Sequence, residues 1–199
     1  NCTFDGNGRF MATPSVNGIN FVTGPNGNTN VVVENAVFNN GLYVAIGGTV
    51  GQLTLRDAVI SNVKSGVNIQ SGATTLVVED TDISVIAQGP ASDTYGIRFA
   101  STAVGSAVNM SLSGLTISVD KNGLVAEPGT YHAAIIIRDG ATGTLEAHQT
   151  SILGDVVNLS AQPFDATMNW WGSAAGPAAG QITGDVISCP WLDAVPGMG

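Results

Sequence analysis

The side chains with the most chemical capacity gather in two stretches, residues 84–95 and 118–133, and just beyond the first of them. They are Asp93, Tyr95, Asp120, Lys121, Glu127, Tyr131 and His132, with Arg98 shortly after Tyr95. Carboxylates, phenols, a guanidinium and an imidazole are suited to gripping or cleaving sugars. A glycoside hydrolase needs two carboxyl groups about 5–9.5 Å apart. A lyase needs a base near the acidic carbon of the sugar, often with Ca²⁺ neutralising a carboxylate. No fixed spacing ties these residues into a catalytic motif, so no catalytic residue is assigned. Asp93, Tyr95, Arg98, Asp120, Tyr131 and His132 are instead candidate glycan-facing residues. His132 and His148 lack metal-ligand spacing, and each reads as a solvated imidazole.

Composition narrows the partners. Six Lys and Arg face 15 Asp and Glu over 199 residues, a net charge of −9. So few cations cannot supply the electrostatic footprint that nucleic acid requires, and an anionic membrane surface is disfavoured for the same reason. The longest apolar run, Ala133-Ala134-Ile135-Ile136-Ile137, is far short of a bilayer span. No Gly-rich phosphate loop joins a strand to a helix. At 44 % apolar and 11 % charged residues, the chain is too apolar for a disordered segment. It carries no recognisable signal segment and reads as a mature or excised piece. Only two lysines, Lys64 and Lys121, stand against the acids, which suits extracellular surroundings.

A repeat must position these residues. Val33-Glu-Asn-Ala-Val-Phe38, Leu55-Arg-Asp-Ala-Val-Ile60 and Val78-Glu-Asp-Thr-Asp-Ile83 share one pattern, with weaker copies at Leu112–Ile117 and Ala147–Ile152. A second element precedes each: Gly18-Ile-Asn-Phe21, Gly41-Leu-Tyr-Val44, Gly66-Val-Asn-Ile69, Gly96-Ile-Arg-Phe99 and Ala134-Ile-Ile-Ile137. Both alternate with period two, which predicts half-buried strands. A basal period of about 22 residues predicts an all-β parallel solenoid of about six coils, with two or three strands per turn. Three inward stacks follow: Ile19, Leu42, Val67, Ile97, Ile135; then Phe21, Val44, Ile69, Phe99, Ile137; then Phe38, Ile60, Ile83, Ile117, Ile152. Asn35, Asp57, Asp80 and Gly114 are expected at one tight corner. An Asp57–Asp80 pair is too few oxygens for a strong Ca²⁺ site. Glu34, Arg56, Glu79, Ser113 and His148 form an outward row, and Asn20, Tyr43, Asn68, Arg98, Ile136 and Asn158 another. Insertions at 84–95 and 118–133 fall at one edge of adjacent coils, so their loops should lie side by side. Of the sequons at Asn1, Asn109 and Asn158, the last two fall on outward positions, which permits glycosylation.

The most specific motif is Asn169-Trp-Trp-Gly-Ser-Ala-Ala-Gly-Pro177, followed by Gly184-Asp-Val-Ile-Ser-Cys-Pro-Trp-Leu192. It resembles the end of right-handed parallel β-helix repeats, of the pectin-lyase-like superfold, in large secreted bacterial and archaeal surface proteins. The resemblance implies right-handed coils over residues 1–177, a cap and tail over 178–199, and a secreted or cell-surface location. Trp170, Trp171 and Trp191 supply large apolar area with a polar N–H each, suited to a lid over the last coil.

Cys2 falls in the inward column of Ala36, Ala58 and Thr81, so the chain begins within a coil and presents a pairing-competent edge. Six coils at about 4.8 Å each make a rod of about 29 Å, with Cys2 at one tip and Cys189 at the other. A disulfide needs Cα atoms within about 7 Å. Pairing of Cys189 with Cys2 of the next copy would join subunits head to tail, a heterologous contact that builds fibres. The expected function is therefore a subunit of an extracellular filament, sheath or surface layer, a homopolymer of this chain. A carbohydrate-binding adhesin module is the alternative, and a polysaccharide lyase or glycoside hydrolase the second. No cofactor is assigned, with Ca²⁺ at the Asp57–Asp80 stack as the alternative.

Overall fold

The computed structural model describes residues 2–6, 17–21, 30–48, 51–69, 75–99 and 109–197. These residues are all-β, and every pairing between strands is parallel. Sheet A holds β1 (Cys2–Asp5), β4 (Ala36–Asn39), β7 (Val59–Val63), β10 (Asp82–Ile86), β13 (Thr116–Asp120) and β16 (Ser151–Leu153). Sheet B holds β2 (Asn17–Phe21), β5 (Val44–Gly48), β8 (Ser65–Ile69), β11 (Thr94–Phe99), β14 (His132–Ile137), β17 (Asp155–Asn158) and β19 (Ile182–Thr183). Sheet C holds β3 (Asn30–Glu34), β6 (Gln52–Arg56), β9 (Thr75–Glu79), β12 (Asn109–Ser113), β15 (Leu145–His148), β18 (Phe164–Asp165) and β20 (Val186–Ile187). The chain visits A, B and C in turn, so each coil of this parallel β-helix contributes three strands. Residues 182–187 continue two of the sheets, so coil structure extends past residue 177.

Stacked apolar columns hold the coils together. Phe38, Ile60, Ile83, Ile117 and Ile152 pair in register and are buried, as the repeat predicts. Phe4 extends the column, its ring stacked on Phe38 at 4.7 Å. Burying each such side chain contributes about 1.5–3 kcal/mol. The corner between sheets C and A is equally regular. Asn35, Asp57, Asp80 and Gln149 all adopt positive φ, at 52°, 51°, 44° and 53°. Gly114 takes the same place at φ 66°, and a Cβ there would stand 2.3 Å from Asp80 Oδ1. The carboxylate of one coil thus sits over the bare glycine of the next. The outward row Glu34–Arg56–Glu79–Ser113–His148 is also in register, and Arg56 Nε donates to Glu34 at 2.8 Å.

Sheet B corrects the predicted register. Ile46, not Leu42, lies between Ile19 and Val67, and Gly48, not Val44, lies between Phe21 and Ile69. Asn40 and Gly41 both take positive φ, at 54° and 84°, so the Gly41–Tyr43 string is spent on the A–B corner. Leu42 remains buried, and Tyr43 leaves the strand for the corner. At the other end Val157, not Asn158, faces Ile136. Asn158 is buried, and its Nδ2 donates to the carbonyls of Gln162 and Asp185, so it is not a free outward sequon. Asn109 is exposed, and Asn1 lies outside the described residues. Strands β5, β8 and β14 are buried on both faces, unlike the alternating strands of sheets A and C. Something therefore covers the outer face of sheet B.

Candidate functional site

The cover is built from the A–B corners. The insertions expected at 84–95 and 118–133 form loops over residues 87–93 and 121–131, their ends being strand, and the two loops are laced together side by side. Ala87 N donates to Asp120 O, Glu127 N to Pro90 O at 2.9 Å, Thr130 Oγ1 to the same carbonyl at 2.8 Å, and Thr94 N to Tyr131 O. Beneath them Tyr95, Ala133, Ile136 and Val157 form a second apolar cluster, with Tyr131 and Leu159 packed against it.

Asp93 is the polar node of this surface. Its Oδ1 accepts the Tyr131 N–H at 2.9 Å. Its Oδ2 accepts from Arg98 Nη1 at 3.3 Å and from Arg138 Nη2 at 2.5 Å. Arg98 also donates from Nε to Asn68 Oδ1 at 3.0 Å, the residue directly beside it in the neighbouring strand. Each cation lies over a ring. Lys64 Nζ is 4.0 Å from the Tyr43 ring centroid, Arg98 Cζ is 4.8 Å from that of Tyr95, and Arg138 Cζ is 5.3 Å from that of Tyr131. The chain has three tyrosines and six Lys and Arg. All three tyrosines and half of the cations therefore meet on this one surface. Such contacts contribute about 0.5–2 kcal/mol each and fix where the charge sits. Burial pushes the Tyr95 phenol above its ordinary pKa, against the opposing pull of Arg98.

At the mouth of this surface lies a groove of about 440 Å³, walled by Tyr43, Lys64, Asn68, Asp93, Tyr95 and Arg98 among others. Lys64 is 3 % exposed, and among the described residues no carboxylate forms an ion pair with it.

Asp93, Tyr95, Arg98, Tyr131 and His132 are thus brought together, in a different arrangement from the expected one. Tyr95 is buried beneath Arg98, so neither it nor the half-buried Tyr131 presents an open platform for a sugar. His132 is buried rather than solvated, with Nε2 at 3.1 Å from Gly89 O and no partner at Nδ1. Asp120 is exposed and accepts the Asn122 N–H, while Lys121 pairs with Asp155 at 2.9 Å. Sequence reasoning missed Lys64 and Arg138. The available signal was a tyrosine at or just before three of the sheet B strands, at Tyr43, Tyr95 and Tyr131, with Lys64, Arg98 and Arg138 in or next to strands of the same sheet.

The remaining candidates lie at the ends. Cys2 and Cys189 are free, exposed thiols. Trp171 is buried in the main core, Trp170 bridges to Ser151, and Trp191 is 38 % exposed. Trp191 packs over Gly176, where a Cβ would stand 2.6 Å from the ring, and donates Nε1–H to Ala174 O. Asn169, fully buried, donates to the carbonyls of Ala147 and Ala166 and accepts the Thr150 N–H, while its own carbonyl accepts the Leu192 N–H. It therefore fastens the two halves of the terminal motif to the preceding coil. Among the described residues no group of three His, Cys, Asp or Glu is placed to hold a metal ion. Comparison with protein-family models, curated proteins and solved structures returned no match.

Proposed function

We propose that this chain is a carbohydrate-binding adhesin module that grips a glycan in the groove on the outer face of sheet B. One observation carries the reading: a polar groove of about 440 Å³ whose donors are held in place before any ligand arrives. Arg98 is fixed by Asp93, Asn68 and the Tyr95 ring together. Pre-organised donors lower the ordering cost of binding. Because the rings are covered by cations, the groove grips hydroxyl and other oxygen groups by hydrogen bonding rather than by stacking. The terminal motif, which resembles those of secreted surface proteins, supports an extracellular setting. A glycan array with the intact protein, followed by affinity electrophoresis on any glycan found, tests this. Arg98→Ala is expected to weaken retention at least tenfold, about 1.4 kcal/mol. Retention on no glycan, or equal retention of the variant, overturns the reading. Release of unsaturated or reducing sugar ends would instead place the protein among the polysaccharide-degrading enzymes.

A second reading, head-to-tail assembly into an extracellular filament, is favoured by the sheet ends. No described strand pairs beyond β1, β2 and β3, and at the opposite end β19 and β20 are short, with Ile187 exposed. Parallel edges of this kind are templates for another chain. Fibres seen by electron microscopy that lengthen with protein concentration are the expected result, with a disulfide-linked ladder on a non-reducing gel if Cys2 and Cys189 lie at the joint. A single monomeric species at all concentrations overturns it.

A further inference from the structure

We infer that the glycan taken by this groove is acidic, a sugar chain bearing carboxylate or sulfate groups, and that Lys64 selects it. This rests on the glycan-binding reading and adds the ligand's charge. The chain carries a net charge of −9, yet Lys64 and Arg98 line this groove with a single carboxylate, Asp93, which Arg138 also reaches from the next coil. Two cations and one carboxylate line the groove, so its lining carries one positive charge in excess. Asp93 is shared by the two arginines, and Lys64 has no described acidic partner.

Lys64 occupies the single-residue A–B corner between β7 and β8. Its backbone N–H is bound to Leu42 O, and its ammonium lies over Tyr43. The residue is almost wholly covered, and it is one of those that line the groove. A neutral sugar laid over that ammonium would strip its remaining water and return only hydroxyl hydrogen bonds. Burying a charge without a counter-charge is costly. A carboxylate or sulfate in the same place supplies the counter-charge, through a charge-assisted hydrogen bond. Lys64 therefore penalises neutral glycans and favours anionic ones, so selectivity comes from repulsion of the wrong ligand as much as from attraction of the right one.

Isothermal titration of the intact protein against matched neutral, uronate-bearing and sulfated oligosaccharides, with inorganic sulfate as a fourth titrant, tests the inference. Acidic oligosaccharides are expected to bind at least tenfold more tightly than the neutral one. Their affinity should fall severalfold between about 0.05 M and about 0.5 M salt. That salt series uses the unaltered protein and so does not depend on any variant folding. Lys64→Met, which keeps the length and apolar stem, should remove the preference by weakening the acidic ligand and leaving the neutral one equal or tighter. The uronate and sulfate arms identify which oxyanion is preferred. Inorganic sulfate binding as tightly as the oligosaccharides would reduce the groove to a simple anion site and overturn the inference. Neutral and acidic chains binding equally, insensitive to salt, would overturn it while leaving glycan binding intact. No binding by any oligosaccharide would overturn glycan binding itself, and the inference with it.

Discussion

At the scale of single residues, placement of charge in the groove depends on one carboxylate serving several partners. Asp93 joins two arginines and a backbone N–H, and its side chain is 14 % exposed. Asp93→Asn keeps the shape but leaves the two guanidiniums repelling one another. Because both arginines remain partly solvated, the cost should be about 1–3 kcal/mol, read as a lower urea midpoint at unchanged slope. A second carboxylate responds to pH. Desolvation acts to raise the Asp165 pKa, but hydrogen bonds from the Thr167 N–H and hydroxyl and the charge of His148 outweigh it, holding the group below 3.8. A carboxyl with a depressed folded pKa stabilises the fold above its unfolded pKa and loses that contribution as pH falls through the folded value. Asp165→Asn should therefore lower Tm slightly near neutrality, and the difference from the parent should close as pH falls through the depressed folded pKa. A difference that grows in acid would contradict the assignment.

At the scale of elements, the corner and the column do separate work. The C–A corner demands a left-handed residue in successive coils; Asn35, Asp57, Asp80, Gly114 and Gln149 meet it, and Met168 takes the same conformation opposite Gln149. Asp57→Gly should be close to neutral. Asp57→Val should cost about 1–3 kcal/mol, because a β-branched residue at φ 51° is strained. Thermal unfolding of the two variants side by side checks this, since both lose the same carboxylate. The corner and the Phe38–Ile152 column were legible from spacing alone, because residues of one physical kind recur wherever the backbone makes one demand. The A–B corner was legible only in its two long loops, and the short corners at Tyr43 and Lys64 were not. It takes a single residue at Lys64 and long loops before β11 and β14, so its members share no fixed distance along the chain. That irregularity placed Tyr43 in a strand and hid its pairing with Lys64.

At the scale of the whole molecule, each coil touches only its neighbours, so stability passes along the stack almost one-dimensionally. The central strands β8, β10, β11 and β13 have partners on both sides, whereas β19 and β20 lie at sheet ends and are two residues long. Hydrogen exchange should be slowest in the centre and fastest in the terminal coil. Asn169→Ala strands one N–H and two carbonyls that the amide now satisfies. It should lower the opening free energy of residues 164–192 by about 2–4 kcal/mol while leaving β8 and β11 protected. Uniform loss of protection along the molecule would show that the terminal motif governs the stability of the whole fold.

Period-two alternation, the corner residues and the repeat length were enough to define an all-β stack of parallel coils, because strand burial and αL geometry are local demands written into successive residues. The groove was decided only in three dimensions. Tyr43 and Lys64 come from different coils, and the strand bearing Asn68 lies beside that bearing Arg98 only because the coils stack. Asp93 reaches Arg138 from the preceding coil. Electrostatic partners across a stack obey distance in space, and the variable loops between coils erase that distance from the linear order.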